Sequence, residues 1–195
     1  MSAAAMLPDA RAGAPPPMND DAPTPTRLFF AVMPDAAARA RLEALARETA
    51  LTTGGRASAP DTLHLTVVFV GTVDGGAVAA VREAGDAMRC ERFAFALDLV
   101  GSFARAGIAW AAPSATPAVL DRIHRELVDA LAARGIATER RPYRPHLTLV
   151  RRCLRTVEGP IDPPVAWDVD AIVLMSSRLL SDGPRYRPIA SWRAR

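Results

Sequence analysis

The 195-residue sequence contains three histidines, and two of them stand in matching surroundings, Leu63-His64-Leu65-Thr66-Val67 and Pro145-His146-Leu147-Thr148-Leu149. Both segments have strand character. Side chains in a strand alternate between faces, so His64 and Thr66 share one face while Leu63, Leu65 and Val67 take the other, and the second copy repeats the arrangement. Each copy therefore presents an imidazole and a hydroxyl side by side. That pair suits a phosphoryl group: the hydroxyl donates to a non-bridging oxygen, while an imidazole with a pKa near 6.5 exchanges a proton with an attacking or leaving oxygen. Two such units across a cleft supply an acid and a base. A single histidine beside a threonine would more simply be a satisfied core residue; the recurrence of two of three histidines in one context favours chemistry. Without a cysteine or carboxylate at ligand spacing, the pair falls short of the three protein ligands of a catalytic zinc, so no metal is expected. His124, between Ile123 and Arg125 in a helical pattern, reads as an ordinary helix-surface residue.

Composition narrows the chemistry further. All 24 basic side chains are Arg, against 21 acidic ones, for a net charge of +3. A chain without Lys has no Schiff-base amine and no Walker-type phosphate lysine. Its two cysteines, Cys90 and Cys153, form no CxxC pair, and the N-terminus lacks the apolar run of a secretory signal, so reduced thiols and a cytoplasmic location are expected. No apolar stretch of about 18 residues is present, and no membrane span is expected. Arginine is concentrated beside the second motif. Arg140, Arg141, Arg144, Arg151, Arg152 and Arg155 fall within 16 residues free of acidic side chains. Guanidinium groups at a cleft attract a phosphodiester, and a basic rim adds salt-dependent affinity for RNA.

The elements that must position these residues begin at Arg27. Residues 1–26 carry six prolines and no periodicity, and read as a disordered Pro/Ala-rich tail; residues 27–195 read as one domain. Leu28 to Met33 forms a buried strand closed by Pro34. Asp35 caps a helix over Ala36 to Ala50 that ends at Gly54-Gly55. Strands follow at Leu63–Val70, Phe93–Val100, Ile108–Ala111, His146–Val150, Val169–Met175 and Tyr186–Trp192, with helices at Gly76–Met88 and Thr116–Arg134, the latter capped by Gly135. This order predicts a mixed α/β fold built from two similar halves.

The chain resembles the two-histidine phosphoesterases, and within them the RNA 2′,3′-cyclic phosphodiesterases first named 2′-5′ RNA ligases. The resemblance runs from residue 27 to about 192 through Arg27-Leu28-Phe29-Phe30-Ala31-Val32, both HxT motifs, Gly101-Ser102-Phe103, Ala109-Trp110, Arg141-Pro142-Tyr143-Arg144-Pro145, Arg151 and the closing Ser177-Arg178-Leu179 to Tyr186. It departs at Arg56-Ala57-Ser58-Ala59-Pro60, where an aromatic residue is usual, and at Phe69-Val70-Gly71, where Phe-Leu-Gly is usual. The resemblance implies an α+β, bilobal fold with pseudo-two-fold symmetry, two mainly antiparallel sheets lining a central cleft and helices outside. It implies hydrolysis of a 2′,3′-cyclic phosphate on RNA or a nucleotide to a 2′-phosphomonoester, without metal or cofactor, by a monomer. His64 would be the proton donor and His146 the proton acceptor, with Thr66 and Thr148 holding phosphoryl oxygens. Arg151, Arg144 and Tyr143 would bind substrate, Tyr143 by stacking on a base or by bracing the strand. Open alternatives are 2′-5′ ligation or 2′-5′ phosphodiesterase activity in the same cleft, a small-nucleotide enzyme acting on a cyclic phosphate such as that of ADP-ribose, and a non-catalytic RNA-binding module.

Overall fold

A computed structural model describes residues 25–139, 141–180 and 183–194. The tail expected up to residue 26 lies almost wholly outside the described residues, as does Arg140. Strand β1 (Thr26–Val32) is the expected opening apolar run. Helix α1 (Ala36–Thr53) begins where the Asp35 carboxylate accepts the Ala38 N–H at 2.9 Å and ends at Gly54, whose φ of 69° suits glycine. It runs about a turn beyond the expected end, because nothing before Gly54 breaks the pattern. The chain continues with β2 (Arg56–Ala57), β3 (Leu65–Val73), α2 (Val78–Ala87), β4 (Phe93–Phe103), β5 (Ile108–Ala112) and α3 (Ala118–Ala132). Past α3, the Gly135 N–H reaches the Ala132 carbonyl and the Ile136 N–H the Leu131 carbonyl, both at 3.0 Å. With Gly135 at φ 72°, this is the glycine-terminated cap that the sequence predicts. The last strands are β6 (Leu147–Arg151), β7 (Gly159–Val169), β8 (Ala171–Leu180) and β9 (Gly183–Arg193).

Strands β2 and β7 were not expected. β2 has two residues, too few to show a period. β7 contains Pro160, Pro163 and Pro164, which ordinarily argue against a strand; it lies at the sheet edge beside β4 alone, where a missing N–H is tolerated.

The strands form an antiparallel sheet in the order β7-β4-β5-β6-β3-β1-β8-β9, with β2 against β6. The α+β, antiparallel architecture is the expected one. The two expected sheets are joined, however, through one residue pair, Leu65 with Leu147. On one side of this seam lie β6-β5-β4-β7, and on the other β3-β1-β8-β9. These are halves of the fold and not of the chain: β4 to β7 run consecutively, whereas the other half joins β1 and β3 to β8 and β9 from the far end of the sequence. The helices interlace in the same way: α1 packs on β6 and β7, whereas α3 packs on β3. A continuous core unites Leu42, Val81 and Leu127 of the three helices with Leu28, Phe30, Leu65, Val67, Leu147 and Leu149 of the central strands. A smaller cluster, Phe29, Ala31 and Met175, lies on the other face of β1, as strand alternation requires.

Both central strands carry a bulge at the same place. Ala31 pairs with Thr66 and Phe30 with Val68, leaving Val67 as the extra residue of β3. Trp110 pairs with Thr148 and Ala109 with Val150, leaving Leu149 as the extra residue of β6. An extra residue shifts the alternation by one. Consequently Phe69 and Arg151, each three residues beyond its threonine, line the same cleft as the histidines.

Candidate active site

The cleft is lined by His64, Thr66, His146, Thr148 and Arg151, together with Arg27, Phe29, Ser58, Thr62, Phe69, Ser177 and Tyr186. The repeated motifs thus converge. The histidines do not lie inside their strands as expected; each immediately precedes one, at the seam. Leu65 and Leu147 face each other in antiparallel register, so continuing that register by one residue sets His64 opposite Thr148 and Thr66 opposite His146. Each imidazole therefore stands across from the other motif's hydroxyl.

Both rings are anchored alike. His64 Nδ1 lies 2.7 Å from the Thr62 carbonyl, and His146 Nδ1 lies 2.8 Å from the Arg144 carbonyl. A carbonyl only accepts, so Nδ1 carries the proton in each neutral ring and Nε2 is the nitrogen left for a substrate. The surroundings differ. His64 is packed by Phe29 at 4.8 Å and by the edge of Tyr186 at 5.0 Å between ring centroids. Burial lowers its pKa; the Thr62 hydrogen bond opposes this, while the positive charges of Arg151 and His146 reinforce it. His146 meets one aromatic edge, Phe103, at 5.1 Å. Burial also raises the pKa of the Tyr186 hydroxyl, against the opposing pull of Arg151 and Arg27.

Two cations reach the cleft. Arg151 comes from the end of β6. Arg27, from β1, stacks over Phe69 with its guanidinium carbon 4.7 Å from the ring centroid. Phe69 occupies in β3 the position that Arg151 occupies in β6, so each half contributes one guanidinium by a different route. Among the described residues, no three or more His, Cys, Asp or Glu side chains are gathered as a metal site would need.

Two of the substrate-binding candidates lie outside the cleft lining. Arg144 is exposed and contributes its carbonyl to His146. Tyr143 packs against the main core and stacks on His124 with centroids 4.1 Å apart and planes 5° apart. Its hydroxyl donates to the Thr66 carbonyl of β3 at 3.3 Å. His124 is not an idle surface residue: its Nδ1 lies 2.8 Å from the Val67 carbonyl. Sequence reasoning missed Ser58, Thr62 and Phe69 as cleft residues and assigned no site role to Arg27, Phe29 or Tyr186. For Phe29 the uninterrupted apolar run hid which face each residue takes; for Phe69 the signal was the adjacent pair Val67-Val68, which breaks the alternation.

A histidine and a threonine from each half of a seamed antiparallel sheet, facing one basic cleft, define a two-histidine phosphoesterase type of site. Residues 33–179 match the family described as the 2′-5′ RNA ligase superfamily. The chain is 29% identical over 170 residues to the RNA 2′,3′-cyclic phosphodiesterase of Escherichia coli strain K12, covering 86% of this chain and 96% of that protein. The Aeropyrum pernix protein of the same name is 27% identical over 143 residues, covering 66% of this chain and 80% of its own length. Among solved structures, E. coli LigT complexed with 3′-AMP superposes with a TM-score of 0.79 at 28% identity, over 87% of this chain and 98% of that one. LigT complexed with ATP gives a TM-score of 0.76 at the same identity and coverage. The chain belongs to the 2′-5′ RNA ligase superfamily.

Proposed function

We propose that this protein hydrolyses a 2′,3′-cyclic phosphate, at an RNA end or on a nucleotide, to a 2′-phosphomonoester. The observation that carries the reading is that both His-X-Thr pairs line one cleft with two arginines. The names of the relatives support it, since three of them are RNA 2′,3′-cyclic phosphodiesterases. In the reaction, neutral His146 takes a proton from water as the water oxygen bonds to phosphorus. The bond from phosphorus to the 3′ oxygen breaks, and protonated His64 delivers its proton to that oxygen, leaving a free 3′ hydroxyl and a 2′ phosphate. Thr66 and Thr148 donate to the non-bridging oxygens, and Arg151 and Arg27 offset the charge that grows on them. Because both proton transfers and the charge stabilisation come from side chains, no metal or cofactor enters the scheme. A monomer suffices, acting in the cytoplasm, and exposed Arg144 extends the site toward longer RNA.

The ligase reading uses the same cleft in reverse, with an RNA hydroxyl in place of water. Water in large excess favours hydrolysis. The test is incubation with 2′,3′-cyclic AMP, a cyclic-phosphate-ended RNA and a 2′-5′ linked dimer, with the products separated by chromatography. Release of 2′-AMP, reduced by about 10²- to 10⁴-fold in His64→Ala and in His146→Ala, is the expected result. Full activity of either variant, or RNA binding without turnover by the native chain, would overturn it.

A further inference from the structure

The two bulges are held from outside their own ladders, and by corresponding atoms. In β6, the Thr148 carbonyl accepts the Ser58 hydroxyl at 3.0 Å and the carbonyl of the extra residue, Leu149, accepts the Ser58 N–H at 2.8 Å. In β3, the Thr66 carbonyl accepts the Tyr143 hydroxyl at 3.3 Å, and the carbonyl of the extra residue, Val67, lies 2.8 Å from His124 Nδ1. The same two consecutive carbonyls are bonded in both halves. One residue supplies both donors in β6, whereas a stacked pair of rings supplies them in β3.

The donors are also crossed. Ser58 lies six residues before His64 yet holds the strand of His146; Tyr143 lies three residues before His146 yet holds the strand of His64. A backbone carbonyl fixed on either side of a bulge fixes the plane of the peptide, and with it the direction in which the threonine hydroxyl points. We propose that Ser58 and the stacked pair Tyr143–His124 are reciprocal positioning residues, each aiming the threonine of the opposite motif at the phosphoryl group. This rests on the hydrolase reading, because the threonines are its phosphoryl donors. The crossing makes the lead-in segment of either motif part of the other motif's geometry, so the two halves of the site are set together.

Double-mutant cycles on 2′,3′-cyclic AMP hydrolysis test the crossing. Tyr143→Phe keeps the ring stack and removes one hydroxyl, and Ser58→Ala keeps the N–H bond to Leu149. Each is expected to lower kcat about three- to tenfold, the worth of one neutral hydrogen bond, with KM changed by less than about twofold. In a Thr66→Val background the Tyr143→Phe effect vanishes while that of Ser58→Ala persists; in Thr148→Val the pattern reverses. His124→Ala loses activity in parallel with Tyr143→Phe, and His124→Asn, which restores a donor, recovers part of it. A rise in KM alone for Ser58→Ala, additive effects in every background, or effects seen only on thermal stability would overturn the proposal. A second readout needs no turnover: in methyl NMR spectra of the full chain, Tyr143→Phe displaces the Thr66 signal and leaves Thr148, and Ser58→Ala does the converse. Displacement of both signals by either change, or of neither, would also overturn it. A native chain inert toward cyclic phosphates overturns the hydrolase reading instead, and leaves the crossed NMR shifts to decide the bracing.

Discussion

His64 and His146 are the same side chain anchored through the same nitrogen, but their aromatic surroundings differ. Burial between Phe29 and Tyr186 holds the pKa of His64 below its ordinary 6.5. On the proposed acid–base scheme the rate profile is bell-shaped, and its acid limb lies no higher than the lowered pKa of His64. The acid limb of kcat/KM is therefore expected below pH 6.5, and Tyr186→Ala, by admitting water to His64, moves it upward. A limb unmoved by that substitution would show that His64 burial does not set it. The same shift has a sign for stability. A folded-state pKa below the unfolded one means the unfolded chain binds the extra proton first, so the stability present above pH 6.5 declines as pH falls through 6.5 toward the folded value. Thermal midpoints measured across that window should fall less steeply in His64→Gln than in the native chain.

At the scale of elements, the seam and the bulges position the site. Leu65 and Leu147 make the one register pair between the half-sheets, and both are fully buried. Leu65→Ala removes core volume and loosens the pair that sets the histidines opposite the threonines; a loss of about 2 to 5 kcal/mol in urea unfolding is expected. Activity should fall more than the unfolded fraction explains, whereas Leu42→Ala, equally buried in α1, should cost similar stability with less effect on kcat. The motifs, the helix caps at Asp35 and Gly135 and most strands were legible because they depend on local pattern. Arg151 shows where pattern fails: simple alternation from His146 sends it to the core face, and the Leu149 bulge returns it to the cleft. The adjacent apolar pairs Val67-Val68 and Leu149-Val150 are the trace this leaves in the sequence. Tyr143 and His124 were illegible for a different reason. Their partners are backbone carbonyls 77 and 57 residues away, and carbonyls carry no sequence signal.

The whole molecule unites two half-sheets over a continuous core, so thermal and urea unfolding should each show one cooperative transition, with fluorescence and circular dichroism coinciding. Its charge is uneven: Arg27 and Arg151 line the cleft, while Arg144, Arg152 and Arg155 are exposed nearby in sequence. Raising salt should increase KM more for a cyclic-phosphate-ended oligonucleotide than for 2′,3′-cyclic AMP, since only the former spans the outer arginines; equal salt slopes would confine recognition to the cleft. The interlaced strand order has a consequence for synthesis. One half-sheet is complete once β7 has been made, but the other waits for β8 and β9, the last strands of the chain. Until they emerge from the ribosome, β1 has one open edge and His64 lacks Tyr186. A nascent chain can hold both histidines while the packing that buries His64 is still incomplete, because Tyr186 lies in the last strand to be translated.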